Sequence, residues 1–227
     1  MRNEVELKVS QTGIAGMEAS AGGIVALLFS QPDKHHGRPA VFLDRDGVIN
    51  EKIDGGYVTG WDSFRFVPGI LGALSILSAA PYPIIIVSNQ AAVAKGFIGR
   101  TVLEELTKRF VAKLRRSGAR IDAVYYCPHT PEMNCACRKP KAGLLERAAA
   151  EWGVDLKRSV FVGDSLSDMQ AAAAAGSRAI LFAPGLNGRK HRPPADDVVS
   201  DPGSLAPAVL AHLGSGSRRA DEPALRR

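Results

Sequence analysis

An apolar segment runs directly into two acidic residues in Val41-Phe42-Leu43-Asp44-Arg45-Asp46-Gly47-Val48. Side chains at positions i and i+2 of an extended chain lie on the same side, so Asp44 and Asp46 address one small volume. Two carboxylates this close repel each other unless a cation lies between them or one carries a proton. Both arrangements serve phosphoryl chemistry, in which Mg²⁺ takes oxygen ligands, one carboxylate attacks phosphorus and the other transfers a proton. The alternative is a polar turn in which an aspartate caps the following helix.

Short apolar runs with the character of buried strands recur along the chain and alternate with helical segments. Strands are predicted at 40–43, 83–87, 123–126, 159–162 and 179–182, and helices from a Thr101–Glu104 capping box to Gly118, over 141–152 and over 168–175. This alternation predicts an α/β fold with a doubly wound parallel sheet. Ligands of such sheets bind beyond the carboxyl ends of the strands, so polar motifs that follow the strands should meet at one edge.

Length and composition set the limits of the domain. With 227 residues, of which 45% are hydrophobic, the chain can form one well-packed domain, which we place at residues 39–213. Residues 1–38 are interpreted as an N-terminal extension. Residues 214–227 have the composition of a linker, and we expect them to form a disordered tail.

The same sequence argues against two kinds of partner. It has no apolar run near the ~20 residues that cross a bilayer and no signal-peptide pattern, so we expect a cytoplasmic protein that contacts no membrane. The net charge of +6 is spread along the chain rather than gathered in a stripe. Such an excess suits phosphorylated small molecules at least as well as nucleic acid. We expect a monomer that binds a small phosphorylated substrate and no nucleic acid.

Three further polar motifs lie beside predicted strands or helices. In Ser88-Asn89-Gln90, a hydroxyl and an amide follow an Ile-rich strand, where they can bind a phosphoryl oxygen or simply cap the next turn. Arg138-Lys139-Pro140-Lys141 places two cations at the predicted start of a helix, where they can neutralise a phosphate or form a solvated basic turn. Asp164 directly follows a buried strand and can supply a further Mg²⁺ ligand, whereas Asp168 can be an ordinary acid of a first helical turn.

All three cysteines of the chain lie in one short segment. Cys127 and His129 form one pair, and Cys135 and Cys137 form a second pair five residues later. Four soft or borderline ligands in two short pairs match a closed tetrahedral Zn²⁺ site with a structural role. Three free thiols beside a chance histidine, a redox centre and a nucleic-acid zinc knuckle are the alternatives, and the spacing favours zinc over each of them.

The order of these motifs resembles the haloacid dehalogenase-like (HAD) superfamily over residues 40–183. The resemblance implies a Rossmann-like domain and an aspartyl-phosphate intermediate. It makes Asp44 the nucleophile and Asp46 the general acid and then the general base. Phosphoryl binding falls to Ser88 and Asn89, and stabilisation of the transferring charge to Lys139.

The same resemblance implies a catalytic Mg²⁺. Its ligands would be Asp44, the backbone carbonyl of Asp46, and Asp164. The loop from Tyr125 to Pro140 narrows the resemblance to the D,D-heptose 1,7-bisphosphate phosphatases, and the histidinol-phosphate phosphatases share this zinc-bearing subfamily. The heptose family implies hydrolysis of the C7 phosphate of a heptose bisphosphate, and its members lack a large cap domain.

The resemblance also indicates which residues bind the substrate. We assign it to Arg45, Gly56, Tyr57, Asn89, Gln90, Lys95 and Arg138. The chain departs from the family at Ala91-Ala92-Val93-Ala94-Lys95-Gly96, where the family usually reads Ser-Gly-Ile-Ala-Arg-Gly. A lysine lacks the bidentate phosphate geometry of arginine. Histidinol-phosphate phosphatase, a broader sugar-phosphate phosphatase and a non-catalytic zinc and phosphate-binding module therefore stay as alternatives.

Overall fold

A computed structural model of the chain describes residues 9–10, 23–32, 37–184 and 193–215. Its strands are β1 (Val9–Ser10), β2 (Val25–Leu28), β3 (Val41–Leu43), β4 (Ile84–Asn89), β5 (Ala123–Cys127), β6 (Val160–Gly163), β7 (Arg178–Phe182) and β8 (Asp197–Val199). Its α-helices are α1 (Ile70–Ser78), α2 (Arg100–Arg116), α3 (Gly143–Trp152), α4 (Leu166–Ala175) and α5 (Pro202–Ser215).

All eight strands belong to one sheet in the order β1-β2-β5-β4-β3-β6-β7-β8. The strands from β5 to β8 across this order pair in parallel, and β1 and β2 add antiparallel pairs at one side. The predicted α/β fold with a largely parallel sheet is therefore confirmed. Within the described residues no strand forms a second sheet, and no cap domain is present, as the resemblance to the heptose phosphatases implied.

Helices cover both faces of the sheet because its central strands are apolar on both sides. Val41 and Leu43 of β3 point to one face, where they join a core with residues of α1, α2 and α5. Phe42 points to the other face and joins a core with residues of α3 and α4, among them the buried Trp152. Burial on both sides explains why the strands appear in the sequence as continuous apolar runs rather than alternating ones.

The boundary predicted at residue 39 needs correction, because the sheet extends into the predicted N-terminal extension. β2 pairs with β5 over its whole length, from Val25 opposite Tyr126 to Leu28 opposite Ala123. Beyond β2, the Ser30 hydroxyl donates to Asp122 Oδ1 at 2.7 Å. Residues 23–32 are therefore part of the domain. The predicted tail lies outside the described residues from residue 216 onward.

Two predicted helix starts are also wrong. α2 begins at Arg100, after Gly99 and without a side-chain cap, so the Thr101–Glu104 pair lies inside the helix instead of capping it. Glu104 is used there in an i,i+4 ion pair with Arg100. α3 begins at Gly143 and not at Lys141, which leaves Arg138-Lys139-Pro140-Lys141 in the preceding loop.

The topology brings the predicted motifs together. β5, β4, β3 and β6 are neighbours and run in parallel, so their carboxyl ends lie side by side. These four strands end at, or are directly followed by, Cys127, Asn89, Asp44 and Asp164.

Among the described residues, no helix is long and apolar enough to cross a bilayer.

Candidate active site

Three carboxylates meet at the carboxyl edge of the sheet. One oxygen each of Asp44, Asp164 and Asp168 lies within 4.8 Å of the others. Asp44 is held by its backbone N–H, which donates to the Val162 carbonyl at 2.9 Å and so joins β3 to β6. Asp164 Oδ1 is buried and has no hydrogen-bond partner among the described residues. Buried, unpaired carboxylate oxygens are the ligands that Mg²⁺ prefers, so this cluster fits a magnesium ion.

Lys139 is the buried cation of this cluster. Its Nζ lies 2.8 Å from Asp44 Oδ1 and 2.5 Å from Asp168 Oδ1, and it donates to the Val87 carbonyl at 3.2 Å. Burial disfavours the ammonium, but the two carboxylates outweigh it and raise the pKa of Lys139 above its ordinary value. Burial raises the pKa of Asp44 to about 7, against the opposing effect of Lys139.

Asn89 fixes the backbone of Lys139. Its Nδ2 donates to the Lys139 carbonyl at 3.1 Å, and its Oδ1 accepts from the Lys139 N–H at 3.1 Å. Both amide atoms are thus used within the protein, although Asn89 still lines the cavity described below. The sequence predicts phosphoryl and substrate binding for Asn89, and the geometry adds the task of placing Lys139.

Asp46 is surrounded by donors. The Arg45 guanidinium contacts both of its oxygens at 2.8 and 2.9 Å, Asn50 Nδ2 donates to Oδ1 at 2.9 Å, and Gln90 Nε2 donates to Oδ2 at 2.7 Å. Burial alone would raise the pKa of Asp46, but Arg45 and these amides hold it below its ordinary value. Arg45 is only 1% exposed. Its guanidinium pairs with Asp46, and Arg45 also lines the cavity described below, so its contact with the substrate stays a prediction.

Ser88 precedes Asn89 in β4 and is buried. Its Oγ accepts from Gln90 Nε2 at 3.1 Å, which links the predicted phosphoryl-binding hydroxyl to the amide that contacts Asp46. At the end of β4, Ser88 lines the cavity, Asn89 binds the backbone of Lys139, and Gln90 donates to Asp46.

Two glycines allow the loops around the carboxylates to approach each other. Gly47 has a φ of +93°, and a Cβ there would lie 2.4 Å from the Asp164 carboxyl group. A Cβ at Gly163 would lie 2.2 Å from Cβ of Asp168. Both contacts are closer than side chains tolerate, so any larger residue would push apart the loops that hold Asp164 and Asp168.

Asp168 has two uses at the start of α4. It forms a capping box with Ser165, since its Oδ2 accepts from the Ser165 backbone N–H at 3.1 Å and from the Ser165 hydroxyl at 2.6 Å. Its other oxygen, Oδ1, contacts Lys139. The sequence suggested only the role in the first helical turn, because nothing local to residues 163–168 points to Lys139.

A cavity of about 220 Å³ opens onto these groups. The predicted site residues along its wall are Asp44, Arg45, Asp46, Gly56, Tyr57, Ser88, Asn89, Gln90, Arg138, Lys139 and Asp164. Lys95 is not among the lining residues. Its ammonium lies over the Tyr57 ring, 5.4 Å from the ring centre, on the outer side of the site.

Lys52 lines the cavity although no sequence motif singled it out. Its Nζ lies 2.8 Å from Asp164 Oδ2, and its side chain is 51% exposed. Burial raises the pKa of Asp164, and Lys52 acts in the opposite direction. Lys52 belongs to the long connection between β3 and α1, where spacing gives no indication of which side chains turn inward.

The four predicted zinc ligands come together. The Cys127, Cys135 and Cys137 sulfurs lie 3.4–3.5 Å apart along two edges, and His129 Nδ1 lies 3.3–3.4 Å from the sulfurs of Cys137 and Cys127. These separations are too long for a disulfide and near the edge of about 3.8 Å in a tetrahedron with ~2.3 Å zinc–sulfur bonds. A hydrogen bond from Cys137 lowers the pKa of Cys127 to about 5. The donor set therefore fits zinc.

This cysteine and histidine cluster is connected to the cavity through the loop that follows it. Arg138 Nη1 donates to the His129 carbonyl at 2.9 Å. Lys141 Nζ donates to the carbonyls of Asn134 and Cys135 at 2.9 and 3.0 Å. Lys139 lies between these two anchored residues, so the cluster helps to define where its backbone runs.

The fold and the site together define a phosphatase of the HAD type. In agreement, the HAD-hydrolase-like family model matches residues 136–203. The chain is 41% identical to D-glycero-β-D-manno-heptose-1,7-bisphosphate 7-phosphatase of Photorhabdus laumondii over 146 residues, which are 61% of this chain and 77% of the relative. It is 35% identical to the enzyme of the same name from Pseudomonas aeruginosa over 176 residues, which are 76% of this chain and 98% of the relative.

A solved structure of a heptose bisphosphate phosphatase is also similar to this chain. The D,D-heptose 1,7-bisphosphate phosphatase of B. bronchiseptica, crystallised with magnesium and phosphate, is 35% identical and superposes with a TM-score of 0.70. The match covers 76% of this chain and 98% of that chain. The chain belongs to the D-glycero-β-D-manno-heptose-1,7-bisphosphate 7-phosphatase family of the HAD superfamily.

Proposed function

We propose that the protein is a Mg²⁺-dependent phosphatase that removes the C7 phosphate of D-glycero-D-manno-heptose 1,7-bisphosphate through an aspartyl-phosphate intermediate. The observation that carries the proposal is the contact between Asp44 and the buried Lys139, 2.8 Å apart, beside Asp46 in one cavity. A carboxylate nucleophile needs a fixed cation next to the phosphoryl group it receives. The named relatives support the choice of substrate.

In the first step, a carboxylate oxygen of Asp44 forms a bond to phosphorus while the bond between phosphorus and the C7 oxygen breaks. For this step Asp46 must carry a proton, although Arg45 and the neighbouring amides favour its ionised form in the free site, and it gives that proton to the departing sugar oxygen. In the second step, Asp46 takes a proton from the water that attacks phosphorus, which releases phosphate and restores Asp44. Lys139 balances the negative charge of the transferring group, and the Ser88 hydroxyl binds one of its oxygens.

We assign the metals from the donor sets. Asp44, Asp164 and the backbone carbonyl of Asp46 would hold Mg²⁺, and Asp168 is kept for Lys139 by their ion pair. When bound, Mg²⁺ supplies positive charge that neutralises the phosphoryl oxygens. The tetrahedral set of Cys127, His129, Cys135 and Cys137 would hold a structural Zn²⁺.

We assign the sugar to the residues that line the cavity around the phosphoryl site, with Arg138 and Tyr57 as its main contacts. Lys95 does not line the cavity, and we assign it to the outer part of the substrate. A monomeric state and a cytoplasmic location stay as predictions from the sequence.

The position of attack can be tested directly. After incubation of heptose 1,7-bisphosphate with Mg²⁺ and enzyme, ³¹P NMR should show inorganic phosphate and a product that keeps only the anomeric phosphate. Asp44→Asn provides the blank. Loss of the anomeric phosphate, or equal release by Asp44→Asn, would contradict the proposed reaction.

A further inference from the structure

Lys52 is a charged residue of the cavity whose chemistry the proposed reaction does not use. Its ammonium lies 2.8 Å from Asp164 Oδ2, and its side chain is half exposed. It comes from the connection after β3, whereas Asp164 follows β6. The contact joins residues 112 positions apart at the mouth of the cavity.

The charges of the cavity show which group Lys52 neutralises. Lys139 is shared by Asp44 and Asp168, and Arg45 pairs with Asp46. Among the described residues, Lys52 is the cation that forms an ion pair with Asp164. Lys52 therefore neutralises the Asp164 carboxylate. Asp164 belongs to the carboxylate cluster that fits Mg²⁺.

A divalent ion on Asp164 would change this balance. It adds two positive charges a few ångströms from the Lys52 ammonium, and like charges at this separation repel even where water screens them. Lys52 and Mg²⁺ thus compete for the Asp164 carboxylate. By linkage, whatever weakens the hold of Lys52 on Asp164 strengthens the binding of Mg²⁺.

We infer that Lys52 exchanges partners during the reaction cycle: it neutralises Asp164 in the metal-free site and binds a phosphoryl oxygen of the substrate once Mg²⁺ occupies Asp164. The inference rests on the Mg²⁺-dependent reaction proposed above. The Lys52 side chain is long and half exposed, so it can adopt another rotamer. It already lines the same cavity as Ser88, Arg138 and Lys139, where the phosphate must lie. A lysine is suited to this task because its ammonium is a point charge without a fixed fork geometry.

The first experiment titrates MgCl₂ into the full-length, zinc-loaded protein by calorimetry, without substrate. Lys52→Gln should bind Mg²⁺ at least ~3-fold more tightly than the unaltered protein, and Lys52→Arg should restore the original affinity because it keeps the charge. Lys157→Gln is the matched control, since Lys157 is exposed at the opposite end of β6 from Asp164. Asp164→Asn should abolish the heat and so show that it reports this site.

The second experiment titrates inorganic phosphate into each protein saturated with Mg²⁺. Lys52→Gln should weaken phosphate binding by ~10-fold, and Lys52→Arg and Lys157→Gln should leave it within twofold of the original value. Mg²⁺ affinity that is unchanged or weaker in Lys52→Gln, or phosphate affinity that is unchanged, overturns the exchange of partners while the phosphatase stands. Absence of Mg²⁺ binding in the unaltered protein overturns the proposed metal site and this inference with it.

Discussion

Asn89 and Lys139 exchange two hydrogen bonds of 3.1 Å between the end of β4 and the loop before α3. The side-chain amide of one residue thus forms a pair with the backbone of another that is 50 positions away. The catalytic cation that we propose is therefore located by a strand of the sheet and not only by its own loop. This arrangement leads to the first prediction.

Replacement of Asn89 by Ala should lower kcat/KM by ~10- to 100-fold, because the Lys139 ammonium would lose its fixed position beside Asp44. The measurement is steady-state phosphate release, with the melting temperature followed in parallel. Lys157→Ala is the control, since Lys157 is exposed at the opposite end of β6 from Asp164. Unchanged kcat/KM in Asn89→Ala would show that Lys139 is placed without this pair.

The two uses of Asp168 can be separated by a pair of variants. Asp168→Asn removes the charge that faces Lys139 and should lower kcat by ~100-fold or more, because a buried ammonium is left with one carboxylate fewer. Ser165→Ala removes the capping hydroxyl and keeps the Lys139 pair, so it should cost ~1 kcal/mol of stability and little activity. Equal losses of kcat in the two variants would contradict the separate roles.

Asp44 predicts a pH dependence of stability. Its pKa in the folded protein is raised to about 7 by burial, so folding favours the neutral acid. The corresponding stability is complete below the unfolded pKa of ~4 and is lost as the pH rises through 7. Asp44→Asn, which stays neutral, should therefore gain stability relative to the unaltered protein between pH 5 and 8.

Urea unfolding in buffers without added Mg²⁺ measures this difference, which is at most about 4 kcal/mol for a shift of this size. Added Mg²⁺ should reduce the difference at pH 8, since a cation favours the ionised carboxylate. A difference that does not depend on pH would contradict the raised pKa of Asp44.

The cysteine and histidine cluster predicts a structural effect of metal loss. Cys135→Ser should lower the zinc content below one ion per chain and reduce kcat, because the loop that carries Arg138 and Lys139 loses its anchor. Hydrogen exchange of residues 127–139 should speed up in the same variant. An inactive zinc-free protein whose loop amides stayed protected would contradict a structural role for zinc.

The central strands and the motifs after them were predictable because each carries a local signal. β3, β4 and β6 contain continuous apolar runs, and polar residues follow these runs: Asp44 after β3, Ser88-Asn89-Gln90 at the end of β4, and Asp164 after β6. β2 was not predicted as part of the sheet because the apolar run at 24–29 lies in a region of weak periodicity. Its place is set by pairing with β5, which is about a hundred residues away in sequence.

In the candidate site, too, features set by neighbouring residues in sequence were predictable, and features set by the tertiary fold were not. Spacing identified the cysteine and histidine cluster, since its ligands lie within eleven residues of sequence. The pairing of Asp168 with Lys139, of Arg45 with Asp46 and of Lys52 with Asp164 was not predictable, because side-chain direction in loops depends on packing. Partners of buried charges are decided by the fold as a whole.

The proposed substrate is tested most directly by comparing kcat/KM for heptose 1,7-bisphosphate, histidinol phosphate and fructose 1,6-bisphosphate with saturating Mg²⁺. Asp44→Asn serves as the blank for each substrate. We expect the heptose to be preferred by ~100-fold or more, which corresponds to about 2.7 kcal/mol of discrimination in the transition state. Equal or faster turnover of either other substrate would contradict heptose bisphosphate as the substrate, and would direct attention to Lys95 and Ala91, where the chain departs from its family.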